Sequence, residues 1–286
     1  MWRGLFTAAT GMITEMRRTD VIANNIANAA TTGYKKDTAI HQEFENMLIK
    51  RMYDEESGNK FGNGVPGLLD TDSGDVTKFK GFKVDQTSAP TVGQLGLGDY
   101  ITEIAVDYSQ GAFESTGNTF DLAIAGEGFF TIQTPQGIRY TRNGAFFKNQ
   151  NGVLQDIRGY NLLDRQGNAI TIPADFSDSR ISISADGSIF ANGENQPLAQ
   201  IQIVQFDNRL AVQKQGDNLF AAVNGAQPEP ATGEVMQGML EKSNVEIVRE
   251  MIELIENHRL YEANSKAVTT QDTMLDNSVN QIGRLS

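Results

Sequence analysis

The C-terminal end constrains this chain most. From Ser243 to Ile282 there is neither proline nor glycine. Across that stretch Ile247, Met251, Leu254, His258, Tyr261, Ser265, Val268, Asp272, Leu275, Val279 and Ile282 alternate steps of four and three residues. Eight of these eleven are apolar, the pattern of one long amphipathic helix. Ser243 followed by Glu246 gives the S-x-x-E pattern of a capping box, in which each side chain satisfies a free backbone N–H at a helix start. A helix of about 40 residues runs roughly 60 Å. Alone it has no core to fold around, so it needs a partner along its length. His258, Ser265 and Asp272 fall seven apart on the seam. Either they specify register, as polar groups in heptad seams do, or the buried stripe drifts by one position and they lie at its edge.

The N-terminal end carries a second seam. Leu5, Ala9, Met12, Met16, Thr19, Ala23 and Ile26 follow the same four-and-three spacing. Its residues are small or flexible, and Gly4 and Gly11 lower the helix propensity further. The polar run from Asn28 to Thr32 suits a helix stop, with Gly33 as a left-handed cap. Arg3 opens the chain, but Thr7, Thr10, Thr14 and Glu15 interrupt any apolar run, so no cleaved secretory signal is expected.

Composition narrows the function. The net charge is −12, which opposes binding to nucleic acid or an anionic membrane. There is no cysteine, hence no disulfide, thiolate metal site or Cys nucleophile. Two histidines, His41 and His258, leave little material for a zinc site or a catalytic triad. No run of some 18 apolar residues appears, so no membrane-spanning helix is expected. Apolar residues make up 39% of the chain and glycines number 28, a profile nearer to a scaffold than to a catalyst.

The middle has a different period. Residues 50–100 are rich in Gly, Asp, Ser and Thr and read as a linker. From 101 to 232 the pattern is β. Phe120, Leu122 and Ile124 alternate with Asp121 and Ala123, Ile181 and Ile183 alternate with serines, and Ile201 and Ile203 with glutamines. Turn pairs recur at Gly126-Glu127-Gly128, Asn143-Gly144, Asn151-Gly152, Gln166-Gly167, Asp186-Gly187 and Asn192-Gly193, which indicates antiparallel hairpins. The fold class is therefore α+β: long N- and C-terminal helices packing as a coiled-coil-like pair around an inserted, mostly antiparallel β domain. The expected boundaries are 1–33 for the N-terminal helix, 34–100 for the linker, 101–232 for the β domain, and 233–286 for a connector with the C-terminal helix.

Catalytic motifs fail on inspection. Asp70 to Asp75 resembles a calcium loop, but residue 81 is Gly where Glu is needed. Gly126-Glu127-Gly128 begins like a dinucleotide fingerprint, but its last position is Thr131. His41 reads as a surface residue, and His258 with Glu262 as a helical pair. No catalytic residue, cofactor or metal is expected.

Four separated motifs, in order, carry a resemblance. Thr19-Asp20-Val21-Ile22-Ala23-Asn24-Asn25-Ile26-Ala27-Asn28 through Thr31-Thr32-Gly33-Tyr34-Lys35 resembles the N-terminal signature of bacterial flagellar rod and hook proteins. Gly126-Glu127-Gly128-Phe129-Phe130 and Tyr140-Thr141-Arg142-Asn143-Gly144 resemble that family's β-domain motifs. Gln237 to Val245, with Tyr261-Glu262-Ala263-Asn264, is similar to its C-terminal segment. The proximal and distal rod proteins are the nearest subgroup.

The resemblance implies a structural, non-enzymatic subunit of the flagellar basal-body rod in the periplasm. Such subunits leave through the flagellar type III export apparatus without a cleaved signal. They polymerise with themselves and with neighbouring rod and hook proteins, with no nucleic acid and no membrane insertion. Their terminal helices line a hollow tube, the β domain covers it, and the rod passes motor torque to the hook. Residue roles follow as expectations. Leu5, Met12, Met16 and Ile26 face Met251, Leu254, Val268, Leu275 and Val279, within one subunit or between neighbours. Asn24, Asn25 and Asn28 hydrogen-bond at crowded helix contacts, or else lie in solvent near a helix end. Gly33, Ser243 and Glu246 cap helices, and Phe129, Phe130 and Tyr140 are β-domain core. The alternatives are a hook-type protein and, from a different class, a secreted adhesin or carbohydrate-binding β module. The latter leaves the terminal motifs without an explanation.

Overall fold

A computed structural model describes residues 2–43, 47–50, 91–95, 98–173, 176, 180–191, 196–206, 211–223 and 226–282. Most of the expected linker, the Asp70 to Asp75 run and the Asn192-Gly193 turn lie outside the described residues. Among those described are two long helices, α1 (Trp2–Ala27) and α2 (Ile247–Asn277), and short strands between them. The fold is α+β, and every strand pairing whose register is defined is antiparallel.

Two compact units divide the chain: residues 1–14, 41–100 and 261–286 form one, and 15–40 with 101–260 form the other. The second holds the β domain. Its largest sheet runs in the order Val212–Lys214, Leu219–Ala222, Gly137–Thr141, Phe129–Thr134, Asn161–Leu162, Leu154–Asp156, Phe146–Lys148. The central hairpin pairs Phe130 with Thr141 and Ile132 with Arg139. Successive side chains on a strand point to opposite faces, so the adjacent Phe129 and Phe130 enter different cores. Phe130 and Ile132 join Leu122, Leu154, Leu162, Ile170 and Ile189 in the main core. Phe129 joins Tyr140, Val204, Val212 and Phe220 in a smaller one, its ring 5.2 Å from that of Phe220.

Part of the alternation predicted for the strands holds. Ile181 and Ile183 are buried and Ser182 is exposed. At Phe120–Ile124 it does not, because Asp121 and Ala123 are buried as well. Leu122–Ala125 pairs with Glu234–Gln237, and Asp121 tolerates burial because Asn118 Nδ2 (2.9 Å) and the Thr116 hydroxyl donate to its carboxylate.

The helices carry an inverted polarity. In the second unit, Asn25 Nδ2 donates to Glu250 Oε2 at 3.1 Å. Asn257 Nδ2 donates to Glu15 O at 2.7 Å and to Thr19 Oγ1 at 2.6 Å. In the first unit, two α2 amides lie over α1 glycines. A Cβ at Gly11 would fall 2.8 Å from Asn264 Nδ2, and one at Gly4 2.6 Å from Gln271 Nε2. Both units use the same register, with Glu250, Asn257, Asn264 and Gln271 spaced by sevens. The inner stripe is thus displaced by one residue from the expected seam on much of both helices. Ala8, Ile22 and Asn25 are buried, one residue before Ala9, Ala23 and Ile26. On α2 the buried residues are Glu250 and Asn257, one before Met251 and His258. His258 and Asp272 are exposed and Ser265 is half-buried. Of the two readings of that trio, the drifting stripe is the one realised. The cause is chemical. Small α1 residues leave backbone and hydroxyl groups within reach of polar α2 side chains, and Met16 and Met251, one step on from Glu15 and Glu250, are exposed.

Candidate functional site

A seven-residue connector that begins four residues after α1 ends organises the second unit. Thr31 to Asp37 connects α1 to the strand Asp37–Glu43. This connector is gripped by residues of three of the motif segments, through Asn25, Asn143, Glu241 and Asn244, and by Lys214 and Asn218 outside them.

Glu241 is the centre. It ends the strand Met239–Glu241, which pairs with Phe113–Ser115, and its side chain is fully buried. Oε1 accepts from Lys35 Nζ at 2.6 Å and from the Gly111 N–H at 3.0 Å. Oε2 accepts from Arg142 Nη1 at 3.3 Å, and the backbone oxygen accepts from the Gly33 N–H at 2.7 Å. Two cations therefore share one carboxylate, and each also reaches a main-chain carbonyl, while the Arg142 Nε–H is buried without a partner. Lys35 Nζ donates to Ser109 O at 2.8 Å, and Arg142 Nη2 to Gly126 O at 2.7 Å. Burial pushes both the Lys35 ammonium and the Arg142 guanidinium below their ordinary pKa values, and the Glu241 charge opposes that shift. A buried ion cluster of this kind adds little net stability, but removing one member strands the others without water.

A second layer surrounds the first. Lys214 Nζ, from the edge strand Val212–Lys214, donates to Lys35 O and Asp37 Oδ2, both at 2.9 Å. It also lies 3.8 Å from the centroid of the Tyr34 ring. Asn244 Oδ1 accepts from the Lys36 N–H at 2.7 Å, while its Nδ2 donates to Asp107 O at 2.9 Å. Asn25 is the link to the helices. Its amide takes the Asp37 N–H (2.9 Å), donates to Asp37 O (2.8 Å) and accepts from the Tyr34 hydroxyl (3.2 Å). Lys36 pairs with the buried Glu250 carboxylate.

The three asparagines read together in the sequence separate here. Asn25 is 1% exposed and bonded on all sides. Asn24 is exposed and Asn28 half-buried, and they bond to each other, Asn28 Nδ2 to Asn24 Oδ1 at 2.7 Å. Two cap expectations are corrected. The α1 helix ends at Ala27, six residues before Gly33, so Gly33 is no helix cap. Its φ of 67° and its approach to the Arg142–Asn143 backbone, 2.4 to 2.6 Å from where a Cβ would be, make it a contact point instead. The Ser243–Glu246 box does not form either. Ser243 Oγ accepts from the Val245 N–H at 3.3 Å, α2 begins at Ile247, and Glu246 O takes the Glu250 N–H at 3.0 Å. The Lys242 N–H is held by Ala112 O and Asn244 is tied to the junction through Lys36, so the chain does not coil until it has passed them.

The remaining assembly residues divide between the two helix surfaces. Leu5, Met12, Ile26, Leu254, Val268 and Leu275 are half-buried, whereas Met16, Met251 and Val279 are exposed. Phe129, Phe130 and Tyr140 are buried. Sequence reasoning did not single out Lys35, Arg142, Lys214, Glu241 or Asn244. The available signal was charge inside motifs otherwise built of Gly, Thr, Asn and apolar residues. Among the described residues no cluster of His, Asp or Glu could hold a metal ion, and no helix is long and apolar enough to cross a membrane. His41 is occupied by Asp99, Nδ1 to Oδ2 at 2.9 Å.

The junction lies where the family signatures fall. The family model described as "Flagella basal body rod protein" matches residues 5–35, and "Flagellar basal body rod FlgEFG protein C-terminal" matches 236–282. "Flagellar hook protein FlgE/F/G D1 domain" matches 123–191. The flagellar basal-body rod protein FlgG of Agrobacterium fabrum is 37% identical, covering 95% of this chain and 96% of that one. The chain belongs to the flagellar basal-body rod protein family. FlgG of Bacillus subtilis is 34% identical over 98% of this chain and 99% of its own. The rod protein FlgF of Caulobacter vibrioides is 30% identical over the full length of both.

One consequence for this family member concerns pH. Burial, and then the Asp37 charge, raise the Tyr34 hydroxyl pKa above its ordinary value of 10.0. A raised folded-state value contributes stability that is complete below the unfolded pKa and is lost as pH climbs toward the folded one. The stability advantage of wild type over Tyr34→Phe is therefore expected to shrink above pH 10. Urea midpoints of both proteins at pH 8 and pH 11 check this.

Proposed function

We propose that this chain is a structural subunit of the bacterial flagellar basal-body rod. It polymerises with itself and joins neighbouring rod and hook proteins in a hollow shaft that carries motor torque. It is a scaffold component and not an enzyme. On this reading it reaches the periplasmic rod through the type III export apparatus without a cleaved signal, and its terminal helices pair as coiled-coil-like elements of the tube.

The carrying observation is the polarity of the helices. The side of α2 against α1 is polar, and Asn257 Oδ1 and Gln271 Oε1 are buried there without a hydrogen-bond partner. Apolar residues instead face outward: Phe6 (65% exposed), Ile13 and Met16 on α1, and Val248 (72%), Met251, Ile252 and Ile255 on α2. Such stripes in water are unfavourable unless another surface covers them. A second copy supplies matching stripes at helical spacing, and contacts that do not close into a ring build a helical polymer.

The test is Ile252→Asp and Ile255→Asp in the full chain. Both side chains are more than half exposed, so each variant should keep the wild-type circular dichroism spectrum and melting profile. Each should also lose polymerisation and leave cells without rods. Assembly as efficient as wild type would overturn the outward-face account.

A further inference from the structure

We infer that the buried Lys35–Glu241–Arg142 cluster is the mechanical joint of the subunit. It fixes the end of α1 and the start of α2 to the β core, so that twist applied at the helices is passed on without slack. This rests on the reading of the chain as a rod subunit.

Three observations carry it. First, the connection depends on few, directional contacts. The connector Thr31–Asp37 is held through Glu241, Asn244, Lys214 and Asn25, all by hydrogen bonds and ion pairs. By contrast, the two apolar cores take in no residue from α1, the connector or α2. Second, the ion pairs are dry. The Lys35 and Glu241 side chains are 1% and 0% exposed, so water cannot replace a broken contact and lubricate the joint. Third, the geometry is triangulated. Glu241 receives Lys35 from the connector, Arg142 from the strand-end motif Tyr140–Gly144, and the Gly111 N–H, while its own backbone holds Gly33. The adjoining Thr32 Oγ1 donates to Asn143 Oδ1 at 2.8 Å, and Asn218 Nδ2 to Thr32 O at 3.0 Å. An apolar patch could slide, whereas these contacts permit one arrangement. On this view Glu241, Lys35 and Arg142 are positioning residues whose task is stiffness.

Two full-length variants test the joint: Glu241→Gln, which keeps shape but removes the charge, and Lys35→Met, which keeps most of the stem. Hydrogen exchange should accelerate by about tenfold or more in peptides covering 29–37 and 240–246, as local opening replaces global opening. Peptides covering 122–132 and 154–163 should stay within about twofold of wild type. Cells carrying either variant as the only copy should build rods in normal number, and their swimming should fall faster than wild type as medium viscosity rises. Parallel loss of protection in the core peptides would overturn the inference, because the cluster would then hold the whole fold. So would unchanged exchange in both variants, absence of rods, or a wild-type response to viscosity. If Glu241→Gln does not fold, Lys35→Met decides alone. Failure of the assembly reading shows separately, in the Ile252 and Ile255 variants.

Discussion

Asn25→Ala is expected to destabilise the full chain by about 3 kcal/mol. The Asn25 side chain satisfies both the N–H and the C=O of Asp37, accepts from Tyr34 and donates to Glu250. Alanine leaves the Asp37 N–H and C=O without this partner and takes one partner each from Tyr34, which keeps Asp37 Oδ2, and from Glu250, which keeps Lys36. Each stranded group costs on the order of 1–3 kcal/mol. Relaxation of the connector recovers part of that sum. Asn24→Ala is the control. It removes the acceptor for Asn28 on an exposed surface, and a loss within about 0.5 kcal/mol is expected. Thermal and urea melts of both variants measure the difference. Equal effects would mean that the buried amide is not what ties α1 to the connector.

Gly33→Ala is expected to cost at least as much. The left-handed backbone at φ 67° alone penalises a Cβ by roughly 1–2 kcal/mol. Space is the larger problem. The added methyl would fall 2.4 Å from Arg142 C and 2.5 Å from Asn143 N, main-chain atoms that cannot swing aside. Relief requires the connector to lift away, which breaks the Gly33 N–H to Glu241 O bond and exposes the ion cluster. A total near 3–5 kcal/mol follows, read as a fall in melting temperature. Lys35 should lose hydrogen-exchange protection at the same time. A stable Gly33→Ala protein with wild-type exchange at the connector would refute this account of the glycine.

Both predictions turn on contacts between segments far apart in sequence, and neither was visible at the level of motif. Asn24, Asn25 and Asn28 are chemically equivalent in a linear reading. Whether an amide meets solvent or a buried carboxylate depends on the rotation of α1 about its axis, and a one-residue error in that rotation exchanges the two outcomes. The same error explains the helix seams. Periodicity fixed the four-and-three spacing on α1 and α2 correctly but placed the apolar residues inward, because burial of apolar groups is the usual rule. Here Gly4 and Gly11 admit polar side chains against the α1 backbone, Leu5, Met12, Leu254, Val268 and Leu275 are only half-buried, and Met16, Met251 and Val279 are left for another surface.

The sequence by itself determined the α+β class, the two terminal helices, the hairpin turns at Asn151-Gly152, Gln166-Gly167 and Asp186-Gly187, and membership of the rod family. These follow from local periodicity, turn chemistry and short motifs, all of which act over a few residues. By contrast, Gly126-Glu127-Gly128 and Asn143-Gly144 join strands that do not pair with each other. Only the tertiary structure decided which helix face is inner, that Gly33 marks a close approach and not a cap, and that α2 starts at Ile247. It alone placed Lys35, Arg142 and Glu241 in one buried cluster. Charged residues do not announce burial in a sequence, since desolvation disfavours it. Their burial becomes tolerable when partners from residues 35, 142 and 241 arrive together, and that meeting is a property of the folded chain.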